Sequence, residues 1–280
     1  MSKVGFVCDG GCARGAYHMG VYKAYIENGY QFDGFVGTSI GAMNAAVLAG
    51  GKFETAHQLW TNITIDQLFE KEVSDLFKLT LTKADKRFPV TFLRALAKVM
   101  GQKGVDTTLI REFITPHINE DQMRHSGIDF GLVTVSRSER KAYELFLDDI
   151  PEGKLIDYIM ASSNFPGFQT QKIDGKKFID GAIYNNCPIN MLLDRGYDEV
   201  IAVRTNTYGF VKKYDKNANV TLVKSRANLI KTFAFSPDNS IYDINRGYQD
   251  GLKAIHGLQA AENYYQEQPI EAHYKFSPNN

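Results

Sequence analysis

The 280-residue sequence is poor in cysteine, has no net charge and lacks any long apolar run. Its three cysteines, Cys8, Cys12 and Cys187, are too few and oddly numbered for a disulfide framework, and no pair has the spacing of a zinc finger. That usage predicts a reducing compartment. Thirty-two basic side chains cancel thirty-two acidic ones, so no global field draws the chain to nucleic acid or to a strongly anionic surface. The mixed charge runs Lys83 to Arg87 and Lys212 to Lys216 read as solvated loops. No stretch approaches the roughly 20 apolar residues of a membrane span. The amino terminus passes from Met1-Ser2-Lys3 straight into strand-like residues, without a signal peptide's apolar core and small-residue cleavage site. A soluble cytoplasmic protein is expected. What is present is a normal core supply, 44% hydrophobic against 23% charged residues, enough for one large domain.

The first 51 residues carry most of the information. Val4 to Cys8 is short, apolar and ended by Asp9-Gly10-Gly11, which predicts a buried strand and a tight turn. Ala16 to Asn28 places Tyr17, Val21, Ala24 and Tyr25 on one helical face, and Phe32 to Val36 reads as the next strand. Such a βαβ unit is parallel and right-handed. A fourth element follows at Gly37-Thr38-Ser39-Ile40-Gly41, a helix with Ala42, Ala45, Ala46 and Ala49 that can lie close to a sheet. Further strands are expected at 130–135, 142–147 and 199–203, and helices at 154–162 and 188–196. A last helix carries Ile241, Ile244, Tyr248, Leu252 and Ile255 at helical intervals and should cover a sheet face. Between Phe53 and Gly104 the pattern is least legible, although Phe88, Phe92, Leu96 and Met100 recur every four residues as a core stripe does.

Three segments carry candidate chemistry. GxSxG alone is a weak signal, but here it lies between an apolar strand and a small-residue helix, where a nucleophile elbow would hold the Ser39 hydroxyl exposed. The loop Asp9-Gly10-Gly11-Cys12-Ala13-Arg14-Gly15 can present backbone amides to a developing oxyanion. A dinucleotide-binding turn would instead want glycine where Cys12 stands, and no P-loop lysine follows. Asp180 ends a short apolar strand just before Gly181, a position where loops carry chemistry in α/β folds. None of the six histidines lies in a motif that ties it to catalysis; a triad of Ser39, Asp180 and His256 remains an alternative, as does a non-catalytic nucleotide- or lipid-binding module.

In this order, the loop 9–15, the elbow 37–41, the segment Ala161-Ser162-Ser163-Asn164-Phe165-Pro166 and Asp180-Gly181-Ala182 resemble the patatin-like phospholipase family over residues 3 to 205. The resemblance implies a three-layer α/β/α sandwich with a mainly parallel sheet; beyond about residue 205 it fades, and 1–280 is expected to be one domain whose residues 206–280 form a helical extension packed on that core. It implies a Ser39–Asp180 dyad that hydrolyses lipid acyl esters through an acyl-enzyme, without metal, cofactor or catalytic histidine. Gly10, Gly11 and Cys12 would form the oxyanion hole; Gly37, Gly41, Arg14 and Gly15 would support elbow and loop. Arg14 could equally hold an anionic head group or pair with an acid. The partners implied are a lipid ester and, transiently, a membrane or micelle surface met by apolar residues around the active-site mouth; the same residues would serve a transacylase. Cys12 replaces the family's usual third glycine, so a left-handed backbone there would cost about 1 to 2 kcal/mol. Ala182 replaces a commoner second glycine.

Overall fold

A computed structural model describes residues 2–82, 104–225 and 229–257; the stripe Phe88 to Met100 lies outside these. The chain begins as expected, with β1 (Val4–Cys8), α1 (Ala16–Glu27), β2 (Gly34–Thr38) and α2 (Ile40–Ala49). β1 and β2 pair in parallel, Gly5 opposite Gly34 and Cys8 opposite Gly37. The second strand starts two residues later than its apolar pattern suggests. Phe32 is drawn instead into an aromatic cluster with Phe6, Tyr22, Tyr25 and Tyr30, and the Asp33 carboxylate turns back to accept the Val4 amide at 2.8 Å.

Among the described residues four short helices follow: α3 (Phe53–Asn62), α4 (Lys71–Thr82), α5 (Thr108–Ile114) and α6 (Glu120–His125). Then come β3 (Asp129–Ser136), β4 (Lys141–Phe146), α7 (Leu155–Ser162), β5 (Gln171–Ile173), β6 (Lys176–Asp180), α8 (Ala182–Asn185), α9 (Ile189–Asp194), β7 (Glu199–Arg204), β8 (Val220–Lys224) and α10 (Pro237–His256). The eight strands form one sheet. β3, β2, β1, β7 and β8 are mutually parallel, while β4, β5 and β6 enter through antiparallel pairs. Helices cover both faces: α1 and α2 lie over the larger core, and α9 closes a smaller one around Val7, Val36, Val133 and Val200.

Two expectations about the carboxy-terminal part need correction. Residues past 205 are not only helical, because β8 joins the sheet beside β7. α10 packs chiefly on α1 rather than on the sheet. A Cβ on Gly20 would fall 1.9 Å from the Ile244 carbonyl oxygen, and one on Gly247 2.2 Å from that of Tyr17, so the two helix backbones touch where glycines face each other. Its buried side is consequently Asp243, Ile244, Gly247, Asp250, Gly251 and Leu252, rotated from the purely apolar stripe. Asp250 accepts from the Tyr17 hydroxyl at 2.9 Å, which makes that polar burial tolerable.

Candidate active site

The sheet register explains how two side chains 141 positions apart meet. One edge of β3 is taken by β4, which pairs from Gly131 to Ser136. On the other edge β2 pairs from Asp129 to Val133 and stops at Thr38. β6 occupies the continuation of that edge in the opposite direction, and its last residue, Asp180, lies opposite Thr134. The ends of β2 and β6 therefore face each other at adjacent positions of one strand, and Ser39 and Asp180 are the residues at those ends.

Ser39 sits at the strand-to-helix turn with φ 58° and ψ −129°, a strained conformation for a residue with a Cβ. The turn can be this sharp because of its glycines. A Cβ on Gly37 would lie 2.2 Å from the Gly41 carbonyl oxygen, and one on Gly41 2.2 Å from that of Cys8. Gly15 is pressed in the same way against Ile40 and Trp60. Ser39 and Asp180 are 8% and 3% exposed, so the pair is nearly dry. Burial pushes the Asp180 carboxyl up from 3.8 to about 6, against the opposing pull of the Ala182 amide and of a hydrogen bond from the Ser39 side chain. The Ala182 amide donates to Asp180 Oδ1 at 2.8 Å.

The 161–166 segment is the brace between the two halves. The Ser162 hydroxyl accepts the Ser39 amide at 3.0 Å, and the Ser162 carbonyl accepts that of Gly181 at 3.3 Å. The Asn164 carbonyl accepts the Asp180 amide at 3.0 Å, while its side-chain amide donates to the Phe178 carbonyl at 2.8 Å.

The loop 9–15 differs in part from expectation. The Gly10 amide is already engaged, donating to both the backbone and side-chain oxygens of Asn186 at 3.1 Å. The Ala13 amide donates to Thr232 at 2.8 Å. Among the described residues, the amides of Gly11 and Cys12 have no acceptor. Cys12 adopts φ +50°, so the loop does carry the strain a glycine would avoid. Its thiol is pushed up to about 12 by burial and by the nearby Asp180, against the pull of Arg14, and stays neutral. Among the described residues Arg14 forms no ion pair with an acid. It donates to the carbonyls of Ile230 at 2.7 Å, Thr205 at 3.3 Å and Asn206 at 3.2 Å, and so ties the loop to two distant segments.

Beneath the loop runs a buried polar chain that the sequence did not reveal. Asp9 and His18 are fully buried, with His18 Nε2 3.1 Å from Asp9 Oδ1. Asn44 Nδ2 lies 3.0 Å from His18 Nδ1 and donates to the Gly15 carbonyl at 2.9 Å. Trp60 closes the chain by donating to Asn44 Oδ1 at 2.9 Å. At the other end, Arg204 Nε and the Thr205 amide both reach Asp9 Oδ2, at 3.3 and 2.9 Å. His18 is the histidine this network uses, and no hydrogen bond among the described residues joins it to Ser39 or Asp180. His256 lies at the far end of α1 from the serine, bonded to Asn28 Oδ1 at 2.6 Å; it does not complete a triad. Next to Ser39, an apolar cleft opens along α2, lined by Ile40, Met43, Val47, Trp60, Phe113 and Phe235 among others.

A family model described as Patatin-like phospholipase matches residues 6–193. The chain belongs to this family. The match takes in the serine turn, the glycine loop and Asp180. Among relatives, the chain is 26% identical over 208 residues to Lysophospholipase NTE1 of Yarrowia lipolytica, a match covering 71% of this chain and 12% of that protein. It is 24% identical over 283 residues to Lysophospholipase NTE1 of Saccharomyces cerevisiae, covering 96% and 15%. The chain thus spans only about an eighth of the length of these curated relatives. Among solved structures, VipD from Legionella pneumophila aligns with a TM-score of 0.56 at 14% identity, over 91% of this chain and 66% of that one, a likeness of fold. Among the described residues no helix is long and apolar enough to cross a membrane.

Proposed function

We propose that this patatin-like chain is a serine acyl hydrolase of lipid esters, of phospholipase A or lysophospholipase type, with Ser39 as nucleophile and Asp180 as its base. The reading rests on one observation: β2 and β6 end at adjacent positions of β3, Thr38 opposite Val133 and Asp180 opposite Thr134, which supports pairing Ser39 with a buried carboxylate. Asp180 takes the hydroxyl proton as Ser39 Oγ bonds to the ester carbonyl carbon, and the carbonyl electrons move to oxygen. The unengaged amides of Gly11 and Cys12 are the groups available to that oxyanion. Its collapse breaks the bond to the leaving alcohol, which receives the proton from Asp180. Water, deprotonated by the same carboxylate, then attacks the acyl carbon; the bond to Ser39 Oγ breaks, Asp180 returns the proton to that oxygen, and the fatty acid leaves.

The environment of Asp180 supports this role. A carboxyl raised to about 6 is ionised at neutral pH yet more basic than an exposed one. The cleft along α2 is apolar and begins one residue from Ser39, so it suits the acyl chain. The names of the relatives favour a lysophospholipid substrate.

A fluorophosphonate probe should label Ser39 in the unmodified chain and not in Ser39→Ala, and mass spectrometry of products from phospholipids, lysophospholipids and neutral glycerides should show fatty acid release that both Ser39→Ala and Asp180→Asn lose. Unchanged hydrolysis by Ser39→Ala would refute the assignment.

A further inference from the structure

The rim beside Asp180 is apolar and uncovered among the described residues. Ile183 is 53% exposed, Tyr184 37%, Tyr208 97% and Phe210 61%. These four side chains come from two segments joined by backbone hydrogen bonds: the Phe210 amide donates to the Ala182 carbonyl at 3.0 Å, and the Asn186 amide to the Phe210 carbonyl at 2.5 Å. Both segments are also part of the site's frame. Ile183 follows Asp180 by three residues, and Tyr208 adjoins Thr207, whose hydroxyl donates to the Gly10 carbonyl. Folding alone gives no reason to hold three aromatic rings and an isoleucine in water at one place.

We propose that this rim is the surface by which the chain settles on a zwitterionic phospholipid bilayer, bringing the mouth of the Ser39 site against the lipid. The inference rests on the lipid-ester reading above. Tyrosine with its polar tip and phenylalanine with its apolar ring are the residue types that favour the headgroup boundary. The segment behind them carries Lys212, Lys213, Asp215 and Lys216. Lys212 is neutralised by Glu144 at 2.7 Å and lies over the Tyr184 ring, 5.1 Å from its centre. Little net positive charge is left, so apolar insertion rather than attraction to anionic lipid must provide the contact. The chemistry of the site selects a bilayer over a protein partner, because the substrate itself lies in that surface.

The test compares the full chain with the triple variant Ile183→Ser, Tyr208→Ser, Phe210→Ser by flotation with phosphatidylcholine vesicles. Each is also assayed on a water-soluble short-chain ester and on vesicle lipid. Binding and vesicle hydrolysis should fall by at least about tenfold in the variant, given the apolar area removed, while soluble-ester hydrolysis stays within about twofold. Binding should survive in Ser39→Ala and change little between about 0.05 and about 0.5 M salt. In Phe210→Trp, emission should shift to shorter wavelength when vesicles are added.

Unchanged flotation of the triple variant would overturn the proposal, as would soluble-ester activity falling in parallel with vesicle activity. So would loss of binding in salt, which would assign the contact to lysines. A dimer that the variant converts to monomer, with vesicle binding unaltered, would assign the rim to a second copy. If the chain floats through this rim yet hydrolyses no ester, the catalytic reading fails and the surface stands.

Discussion

Replacing Asp180 by asparagine should make the folded chain more stable at neutral pH while removing its activity. Raising the carboxyl from 3.8 to about 6 means that ionising Asp180 is about 3 kcal/mol harder in the folded chain than in the unfolded one. Below about pH 4 both states hold the proton and the group is neutral to stability. As pH rises from there to about 6 the unfolded chain releases its proton first, so stability is lost through that window and the full cost is present above it. Asparagine keeps the side-chain shape and an oxygen for the Ala182 amide, and carries no charge to desolvate. The variant should therefore melt about 5 °C higher at about pH 8, taking the lower end of the shift per kcal/mol because the chain is large, and at the same temperature as the unmodified chain near pH 4. Thermal melts across that range check it. Hydrolysis by the unmodified chain should rise with pH through about 6, and the variant should lose at least about a hundredfold in rate. A variant no more stable than the unmodified chain at either pH, or a difference that grows toward acid, would refute the view that burial is what raises this carboxyl.

Gly41→Ala would put a methyl group 2.2 Å from the Cys8 carbonyl oxygen and 2.5 Å from that of Asp9; it should cost about 3 kcal/mol or more. Gly50→Ala, whose Cβ would meet only carbonyl oxygens at 3.4 and 3.5 Å, should stay within about 1 kcal/mol, and denaturant midpoints of the two compare them directly. Cys12→Gly should relieve about 1 kcal/mol of left-handed strain and give much of it back as unfolded-chain freedom. That variant should be active and within about 1 kcal/mol of the unmodified chain; a tenfold loss of activity would show that the thiol, not the backbone, matters at this position.

The positions of the candidate pair were legible in the sequence because each sits at a place where local pattern and chemistry coincide, Ser39 between strand and helix and Asp180 at the end of an apolar run before glycine. What holds them was legible only as the segment 161–166, without its role. Ser162, Asn186 and the chain Asp9–His18–Asn44–Trp60 act through contacts between remote positions, and a buried serine or asparagine looks in sequence like any surface one. Arg14 was read as a support of the loop, but its partners could not be named, since they are backbone carbonyls that no pattern identifies. The boundaries of β2 moved because Phe32 had a better use in the aromatic cluster than in the ladder. α10 was seen as a helix but given the wrong neighbour: Gly247 allows a close crossing with Gly20 that an apolar-stripe argument does not weigh. β8 escaped notice between polar stretches, and its pairing with β7 depends on long-range register.

The way Ser162 grips both the Ser39 turn and Gly181 divides labour along the chain. The candidate pair and its brace are contributed before residue 50 and after residue 128, whereas the stretch between supplies Phe113 to the cleft and Trp60 both to the cleft and to Asn44 beneath the glycine loop. Transplanting that stretch from one member of the family to another, with Trp60 kept, should therefore alter which molecules are admitted and leave intact the chemistry proposed for them.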